Sequence, residues 1–163
     1  MSRDVPGITL REATVADIPE ILRQRQRMYE DMHYTDRTAL EAASRLSSVY
    51  LQKAIPERSF RAWLACEGAR PVAGGAILIT AGPAHPDALD CRRALILNVY
   101  TEPAYRRRGI ARMLMRTLIE WLEREGFARV TLHASDEGRP LYESLGFEPS
   151  NEMRLQLRSG RRD

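Results

Sequence analysis

The segment from Ala94 to Val99, "ALILNV", is a nearly continuous apolar run and constrains the fold more than any other stretch. A strand with one wet face alternates apolar and polar residues, whereas a strand covered on both faces reads as an unbroken apolar run. Three arginines and Gly109 follow, and then an amphipathic helix whose apolar stripe is Ile110, Met113, Leu114, Leu118, Trp121 and Leu122. We therefore expect a central strand packed between helices.

Periodicity elsewhere predicts further strands and helices around this centre. Strands are expected at "GITLREAT", at the hairpin "SFRAWLACEG" and "PVAGGAILIT", at "ARVTLHA" and, through Met153, Leu155 and Leu157, at "EMRLQLR". Helices are expected after a cap at Thr14, where Ile18, Ile21, Leu22, Met28, Tyr29 and Met32 face inward, over Arg37 to Ala54, and from Pro140 to Leu145. The pattern predicts an α/β (α+β) fold with a mixed sheet of six to seven strands flanked by about four helices.

Size and composition favour one cytoplasmic domain. The chain has 163 residues, 44% hydrophobic and 29% charged, so we expect a single domain over 1–163. No apolar run reaches the roughly 18 residues of a membrane helix, and the first residues do not resemble a secretory signal. Cys66 and Cys91 lack C-x-x-C spacing, so neither a disulfide framework nor a metal site is expected.

The arginine cluster at Arg106, Arg107 and Arg108 directly precedes a helix start. Lys53 is the only lysine, and the net charge is +3. Backbone N–H groups at a helix start attract anions, Gly109 allows close approach, and guanidinium groups bind phosphate in pairs of hydrogen bonds. A pyrophosphate would fit this position. The residues by themselves fit a solvated helix start equally well.

Two motifs together resemble the GNAT superfamily of N-acetyltransferases. The family pattern Q/R-x-x-G-x-G/A between the fourth strand and the third helix is matched by Arg106, Gly109 and Ala111. A downstream L-Y-x-x-L-G-F segment is matched by "LYESLGF", Leu141 to Phe147. The order of predicted elements also fits from Ile8 to Leu157, so the resemblance covers nearly the whole chain. It implies that the mixed sheet is mostly antiparallel. Two separated motifs in the right order are more specific than either alone.

The resemblance implies that acetyl-CoA binds along the fourth strand and at the start of the third helix. The pantetheine arm would pair with the strand backbone as an added strand does, and the pyrophosphate would lie on the loop. The implied cofactor-binding residues are Val99, Tyr100, Thr101, Arg106, Arg107, Arg108, Gly109, Ile110, Ala111 and Ser135. Thr101 stands where the family more often has valine, and Ser135 where many relatives have asparagine.

The implied chemistry is direct attack of an amine on the thioester in a ternary complex. Tyr142 matches the tyrosine that often protonates the departing thiolate in this family; its other reading is a core tyrosine. The general base is left open, because the strand position where some relatives have glutamate is Leu95. Asn98, through an ordered water, His133 and Glu102 are the alternatives, and Asn98 joins Tyr142 as a catalytic candidate.

The acceptor is expected near "MYEDMHYTDR", because the first two helices usually bound the acceptor pocket in this family. Tyr29, Met32 and Tyr34 would form an apolar wall, and Asp31, or else Glu30 or Asp36, would bind a cationic amine. The alternative is a helix end with solvated acids. A small-molecule amine is favoured because the sequence shows no long acidic or aromatic groove for a peptide.

Two rival functions follow from the same residues. A module that binds acetyl-CoA without turnover would explain the absence of a strand carboxylate, although Tyr142 argues against it. Nucleic-acid binding ranks last, because the net charge is low and no basic stripe carries interleaved aromatic residues. Neither nucleic acid nor membrane is an expected partner, whereas family analogy implies a homodimer.

Overall fold

The computed structural model describes residues 4–157. Two short 3-10 turns, Val15–Asp17 and Pro103–Tyr105, accompany the strands and helices of this range. In chain order these are β1 (Ile8–Glu12), α1 (Ile18–Asp31), α2 (Arg37–Ala54), β2 (Phe60–Glu67), β3 (Arg70–Ala81), β4 (Arg92–Thr101), α3 (Ile110–Arg124), β5 (Val130–Leu132) and α4 (Arg139–Ser144).

The sheet is mixed and mostly antiparallel, as predicted. Its strand order is β1-β2-β3-β4-β5. The first three pairings are antiparallel, and β4 pairs with β5 in parallel. A parallel neighbour requires a crossover connection, and α3 supplies it. The described range holds four α-helices, as predicted, but five strands instead of six or seven.

The missing strand is the predicted one at "EMRLQLR". Residues 152–157 form no strand in the described range, and Arg158 lies outside it. Met153, Leu155 and Leu157 are 95%, 80% and 75% exposed. Alternation of apolar residues provides a face that can be buried, but a strand also needs a neighbouring backbone for its hydrogen bonds. No described residue provides that neighbour.

The chain divides into two units. Residues 4–133 contain the sheet and α1 to α3, and residues 134–157 contain α4. The prediction of one domain over 1–163 stays a prediction. Within the described residues no helix has the length and apolar character needed to cross a membrane, and no cluster of His, Cys, Asp and Glu side chains could hold a metal ion.

The first helical segment begins with the predicted cap. The Thr14 hydroxyl accepts from Ala16 N, and Asp17 accepts in return from Thr14 N at 2.8 Å. Ile18 and Ile21 are buried as expected, but Met32 is 47% exposed. The prediction for Met32 was wrong because α1 ends at Asp31 and the inward stripe ends with it.

Hydrophobic side chains cover both faces of the sheet. On one face α1 and α2 pack over a cluster that includes Ile21, Leu51, Leu64 and Ala76. Val72, Ala73, Tyr105, Ile110 and Met113 form a second cluster with the start of α3. The helices on both faces therefore fix the position of β4 and of the loop that follows it. The site described below is formed by this strand and this loop.

Candidate functional site

The C-terminal half of β4 has a strand neighbour on one side only. Along β3 its pairing runs from Arg92 to Thr101. Along β5 the pairing covers Ala94, Leu95 and Ile96 and then stops, so no described strand pairs with residues 97–101 on that side. We call residues 97–101 the open edge of β4. A free strand edge presents backbone donors and acceptors that an extended ligand can use.

The pairing of β3 with β4 contains a β-bulge at Asn98, close to the point where β4 and β5 stop pairing. Ala76 opposes Leu97 while Gly74 opposes Tyr100, so β4 has one residue more than β3 over this step. Asn98 has a φ of +57°, a left-handed conformation that asparagine adopts more readily than most residues. A bulge bends its strand and increases the local twist. The bulge therefore lies directly beyond Ile96, the last β4 residue that pairs with β5.

The open edge leads through a short loop to the start of α3. Gly109 is the N-cap of α3 with a φ of +84°, and no side chain caps this helix start. The first N–H groups of a helix have no acceptor within the helix. With Ile110 and Ala111 in the first turn, this start can accept an anion.

The three arginines of the loop point to different partners. Arg106 donates through Nε to the Thr101 carbonyl (2.9 Å) and through Nη2 to Asp31 (2.5 Å). Arg108 lies with Cζ 4.9 Å from the centre of the Tyr105 ring. Arg107 is exposed, has a φ of +64° and contacts no partner within residues 4–157. The sequence predicts all three as cofactor-binding residues, and the structure adds that Arg106 connects the loop to α1.

Asn98, predicted to be catalytic, is 9% exposed. Its Oδ1 accepts a hydrogen bond from Nη1 of Arg25 on α1. Arg25 also stacks with Cζ 4.9 Å from the centre of the Tyr29 ring. The structure thus brings Asn98 and Tyr29 together through Arg25, a residue the sequence analysis did not single out. Its partner lies 73 residues further along the chain, so no local spacing could have revealed the contact.

A second arginine of α1 was also missed. Arg23 donates to Glu20, its neighbour one turn back, and to Glu102 at 2.5 Å. The Tyr100 hydroxyl donates to Glu102 at 3.3 Å. Burial, reinforced by the Glu102 charge, raises the pKa of Tyr100 above its usual value. Only the spacing of Glu20 and Arg23 could have been read from the sequence.

A cavity of about 560 Å³ adjoins this group of charges. Ion pairs already engage several of its charged walls, including Arg23 with Glu102 and Arg27 with Glu30. Its lining residues are Glu20, Arg23, Arg27, Glu30, Asp31, Arg70, Pro71, Tyr100, Glu102 and Pro103. The cavity is therefore polar, and it shares Tyr100 with the open edge.

The predicted acceptor residues are partly assembled. The rings of Tyr29 and Tyr34 meet edge to face with their centres 5.3 Å apart, and Tyr34 is 56% exposed. Met32 is exposed, as described above, so these residues form an open surface instead of an enclosed wall. Asp31 is paired with Arg106 and does not present a free negative charge.

The other acids suggested for the acceptor also have local partners. Asp36 caps α2 by accepting from Ala39 N at 3.0 Å. Glu30 accepts from Gln26 and Arg27, and the Gln26 hydrogen bond is the main cause that lowers the pKa of Glu30. These carboxylates are those of a solvated helix end, the alternative that the sequence analysis left open.

The three base candidates differ in their surroundings. The Asn98 oxygen is occupied by Arg25, and Glu102 is held by Arg23 and Tyr100. His133 is exposed and directly follows β5. Glu102 is therefore not poised to take a proton from an amine without losing an existing hydrogen bond, and Asn98 is not poised to order a water through Oδ1 without sharing that oxygen with Arg25.

Ser135 and Tyr142 lie in the unit of residues 134–157. The Ser135 hydroxyl accepts from Gly138 N at 3.1 Å and thereby orders the turn before α4. The Tyr142 ring packs edge to face against Phe147, with the centres 6.1 Å apart. Its hydroxyl has no partner among the described residues of its own unit, and burial raises the pKa of the phenol, so the group is protonated at neutral pH.

Comparison with known proteins identifies the class. The description "Acetyltransferase (GNAT) family" matches residues 20–147, which is more than half of the chain. The chain therefore belongs to the GNAT acetyltransferase family, as its motifs and its sheet predicted. Acetyl-CoA is the acyl donor that this family uses.

Individual relatives agree with this assignment. Human N-acetyltransferase 8 is 27% identical over 122 residues, which is 73% of this chain and 50% of that protein. The chain spans about half the length of the curated relatives it matches. A crystal structure of a GCN5-related N-acetyltransferase from Ralstonia eutropha JMP134 is 30% identical, with a TM-score of 0.87 over 93% of this chain and 99% of that one.

A second solved structure bears on the ligand. It is a "predicted acetyltransferase with acetyl-CoA" from Clostridium acetobutylicum, 26% identical, with a TM-score of 0.83 over 93% of this chain and 96% of that one. Its backbone and that of this chain follow the same fold. The acetyl-CoA in that structure belongs to that protein.

Proposed function

We propose that this protein transfers the acetyl group of acetyl-CoA to a primary amine of a small-molecule acceptor, by direct attack in a ternary complex. The observation that carries the proposal is the continuity of the open edge of β4 with the uncapped start of α3. An extended amide-containing arm followed by a pyrophosphate has the chemistry to use both. Membership in the GNAT family and the acetyl-CoA of the Clostridium relative support the same ligand.

The residues present fit acetyl-CoA. Backbone groups of Val99, Tyr100 and Thr101 on the open edge would hold the pantetheine arm. The pyrophosphate would be held by Arg107, Arg108, Gly109, Ile110 and Ala111. Arg106 would contribute indirectly, because its hydrogen bond fixes the Thr101 carbonyl. Ser135 would add one hydrogen bond from its hydroxyl.

The bound thioester would supply an activated acetyl group, and the residues of this chain would supply binding and proton transfer. The bulge leaves β4 backbone groups free beside the point where β4 and β5 part, and such N–H groups stabilise a developing oxyanion. Tyr142 would donate its proton to the departing thiolate. The raised pKa of its phenol keeps that proton available at neutral pH.

A second candidate is a module that binds acetyl-CoA without turnover. It is favoured by β4, which carries no carboxylate from Arg92 to Thr101, and by Glu102, which Arg23 already engages. The two functions differ in one measurable product, the free thiol of CoA. Acetyl-CoA binding without thiol release on any amine would favour the module.

The deciding experiment combines two measurements on the purified protein. Calorimetric titration with acetyl-CoA at physiological salt tests the binding site, and a thiol assay with a broad panel of amines tests turnover. We expect binding and thiol release with at least one small amine. No binding of acetyl-CoA would overturn both candidates.

The cellular location, the oligomeric state and the partners of the protein stay predictions. A cytoplasmic location, a homodimer and the absence of nucleic-acid and membrane partners are our expectations from the sequence and from family analogy. Sedimentation of the purified protein and a salt-dependent nucleic-acid binding assay would test the homodimer and the nucleic-acid expectation.

A further inference from the structure

Asn98 carries a hydrogen-bond donor that the fold itself does not use. It lies two residues beyond Ile96, the last β4 residue that pairs with β5. Oδ1 accepts from Arg25, whereas Nδ2 donates to no residue within 4–157. No buried side-chain nitrogen or oxygen of that range lacks a hydrogen-bond partner, so Nδ2 must reach accessible space although the residue is only 9% exposed.

Arg25 determines which end of the carboxamide is left over. A guanidinium group carries donors and no acceptor, so it can bind the carboxamide oxygen but not the NH₂ group. The opposite rotamer of Asn98 would place donors against donors. The guanidinium is also held by the Tyr29 ring, whose centre lies 4.9 Å from Cζ of Arg25. The NH₂ group is therefore the end of the carboxamide that remains free to donate a hydrogen bond.

We propose that Asn98 is a hydrogen-bond donor that determines which amine substrates are acetylated. It selects amines that carry a carboxylate or a hydroxyl, attached either to the amine-bearing carbon or to the carbon next to it. Arg25 is the positioning residue for this donor. The inference rests on the proposed function, because it places the acceptor amine where the open edge begins. The proposed donor role also replaces the role predicted from the sequence, in which Asn98 orders a water molecule.

Charge along α1 agrees with an oxygen-bearing acceptor. The positive charge of Arg25 lies at the carboxamide oxygen and polarises the N–H bonds of the same group. Asp31, the residue predicted to hold a cation, is neutralised by Arg106. An acceptor with a carboxylate or a hydroxyl beside its neutral amine therefore suits this surface better than an acceptor with an additional cationic group.

The test uses pairs of amines with matched shapes, 2-aminoethanol with propylamine and glycine with isobutylamine. We expect wild-type kcat/KM to favour the oxygen-bearing member by about 10- to 100-fold, the effect of one hydrogen bond to a polar or charged group. Asn98→Asp keeps the shape and the contact with Arg25 but removes the donor. The preference should then fall to within about 3-fold.

Arg25 is tested by its own series. Arg25→Met should reduce the preference as Asn98→Asp does, and Arg25→Lys should restore part of it. Arg27→Met is the matched control, because Arg27 lies on the same helix but pairs with Glu30. A purely structural role of Arg25 would lower kcat/KM for both members of each pair equally, and that result would overturn the positioning role.

The wild-type protein alone keeps the inference falsifiable if a variant does not fold. Thiol release without preference between matched amines overturns the inference and leaves the acetyltransferase function intact. Absence of acetyl-CoA binding and of thiol release overturns the proposed function and this inference together. A preference that survives Asn98→Asp overturns the role of Asn98.

Discussion

Nη2 of Arg106 lies 2.5 Å from Oδ2 of Asp31. This ion pair connects the glycine-containing loop before α3 to the end of α1. Nε of the same guanidinium donates to the carbonyl of Thr101 on the open edge. One side chain thus joins the helix α1, the strand β4 and the loop. The first arginine of the R-x-x-G-x-A motif contributes to the architecture of the site, whereas its neighbour Arg107 is exposed.

This difference predicts unequal effects of two matched substitutions. Arg107→Asn should weaken acetyl-CoA binding by about 10- to 100-fold, the loss of one charge-assisted hydrogen bond, and asparagine tolerates the left-handed backbone there. Arg106→Asn should change the affinity by less than about 3-fold, since its charge already faces Asp31. Calorimetry measures both affinities. Equal losses in the two variants would contradict the division of roles.

Gly109 should be required for binding because of its backbone conformation. Its φ of +84° is one that valine rarely adopts, so Gly109→Val should distort the helix start and lower acetyl-CoA affinity by more than about 10-fold. Gly126→Val is the control, because Gly126 has a φ of +76° and follows the other end of the same helix. Both variants should lose stability in thermal unfolding. An equal loss of affinity in both would remove the loop from the binding site.

Much of this fold was readable from local pattern. The apolar run at Ala94 is β4, α2 spans the predicted Arg37–Ala54, and the hairpin of β2 and β3 lies where predicted. The predicted strand at Met153 failed because alternation shows a face but not a partner. Periodicity describes one helix or strand at a time. It therefore indicates which face of that element is buried better than it indicates which strand lies beside it.

The site was readable only in part, for a related reason. The motif located the loop and Gly109, whose special backbone conformation is a local property. It could not show that Arg106 turns to Asp31, or that Arg25 reaches Asn98, because these contacts join residues 75 and 73 positions apart. The bulge was equally hidden, since it is defined only by the register of β4 against β3.

Tyr142→Phe should separate proton donation from binding. If the phenol protonates the departing thiolate, its removal should lower kcat by about 10- to 1000-fold and leave the KM for acetyl-CoA nearly unchanged. Phenylalanine keeps the ring that packs against Phe147, so folding should be preserved. Steady-state kinetics with the thiol assay gives both parameters. Unchanged kcat would exclude Tyr142 from the chemistry and leave it a packing role.

The pairing of Asp17 with Arg11 predicts acid sensitivity. Hydrogen bonds from Arg11 at 2.7 and 2.9 Å are the main cause that lowers the pKa of Asp17 from 3.8 to about 2. The unfolded chain therefore binds a proton more readily than the native protein, so the stabilisation is complete above about pH 4 and is lost as the pH falls toward 2. With Arg11 half exposed, we expect about 1 to 2 kcal/mol. Urea unfolding of wild type and Asp17→Asn from pH 6 to pH 2.5 measures it, and parallel pH profiles would contradict the assignment.

Arg61 should be the costliest cation to remove from the core. Its guanidinium lies 4.5 Å from the centre of the Trp121 ring and 5.6 Å from that of Trp63, and Nε donates to Glu12 at 2.7 Å. Arg61 is 8% exposed, so truncation removes packing and stacking and leaves a carboxylate without its partner.

We expect Arg61→Ala to lower the free energy of unfolding by about 2 to 4 kcal/mol, less than for a fully buried ion pair because Glu12 still reaches water. Arg61→Lys keeps the charge but loses the planar stacking and should cost about 1 to 2 kcal/mol. Arg70→Ala, on the exposed end of β3, is the control and should stay within about 0.5 kcal/mol of wild type. Urea unfolding at pH 7 ranks the three variants. If Arg61→Lys proved as costly as Arg61→Ala, the stacking geometry rather than the charge would account for the whole contribution of Arg61.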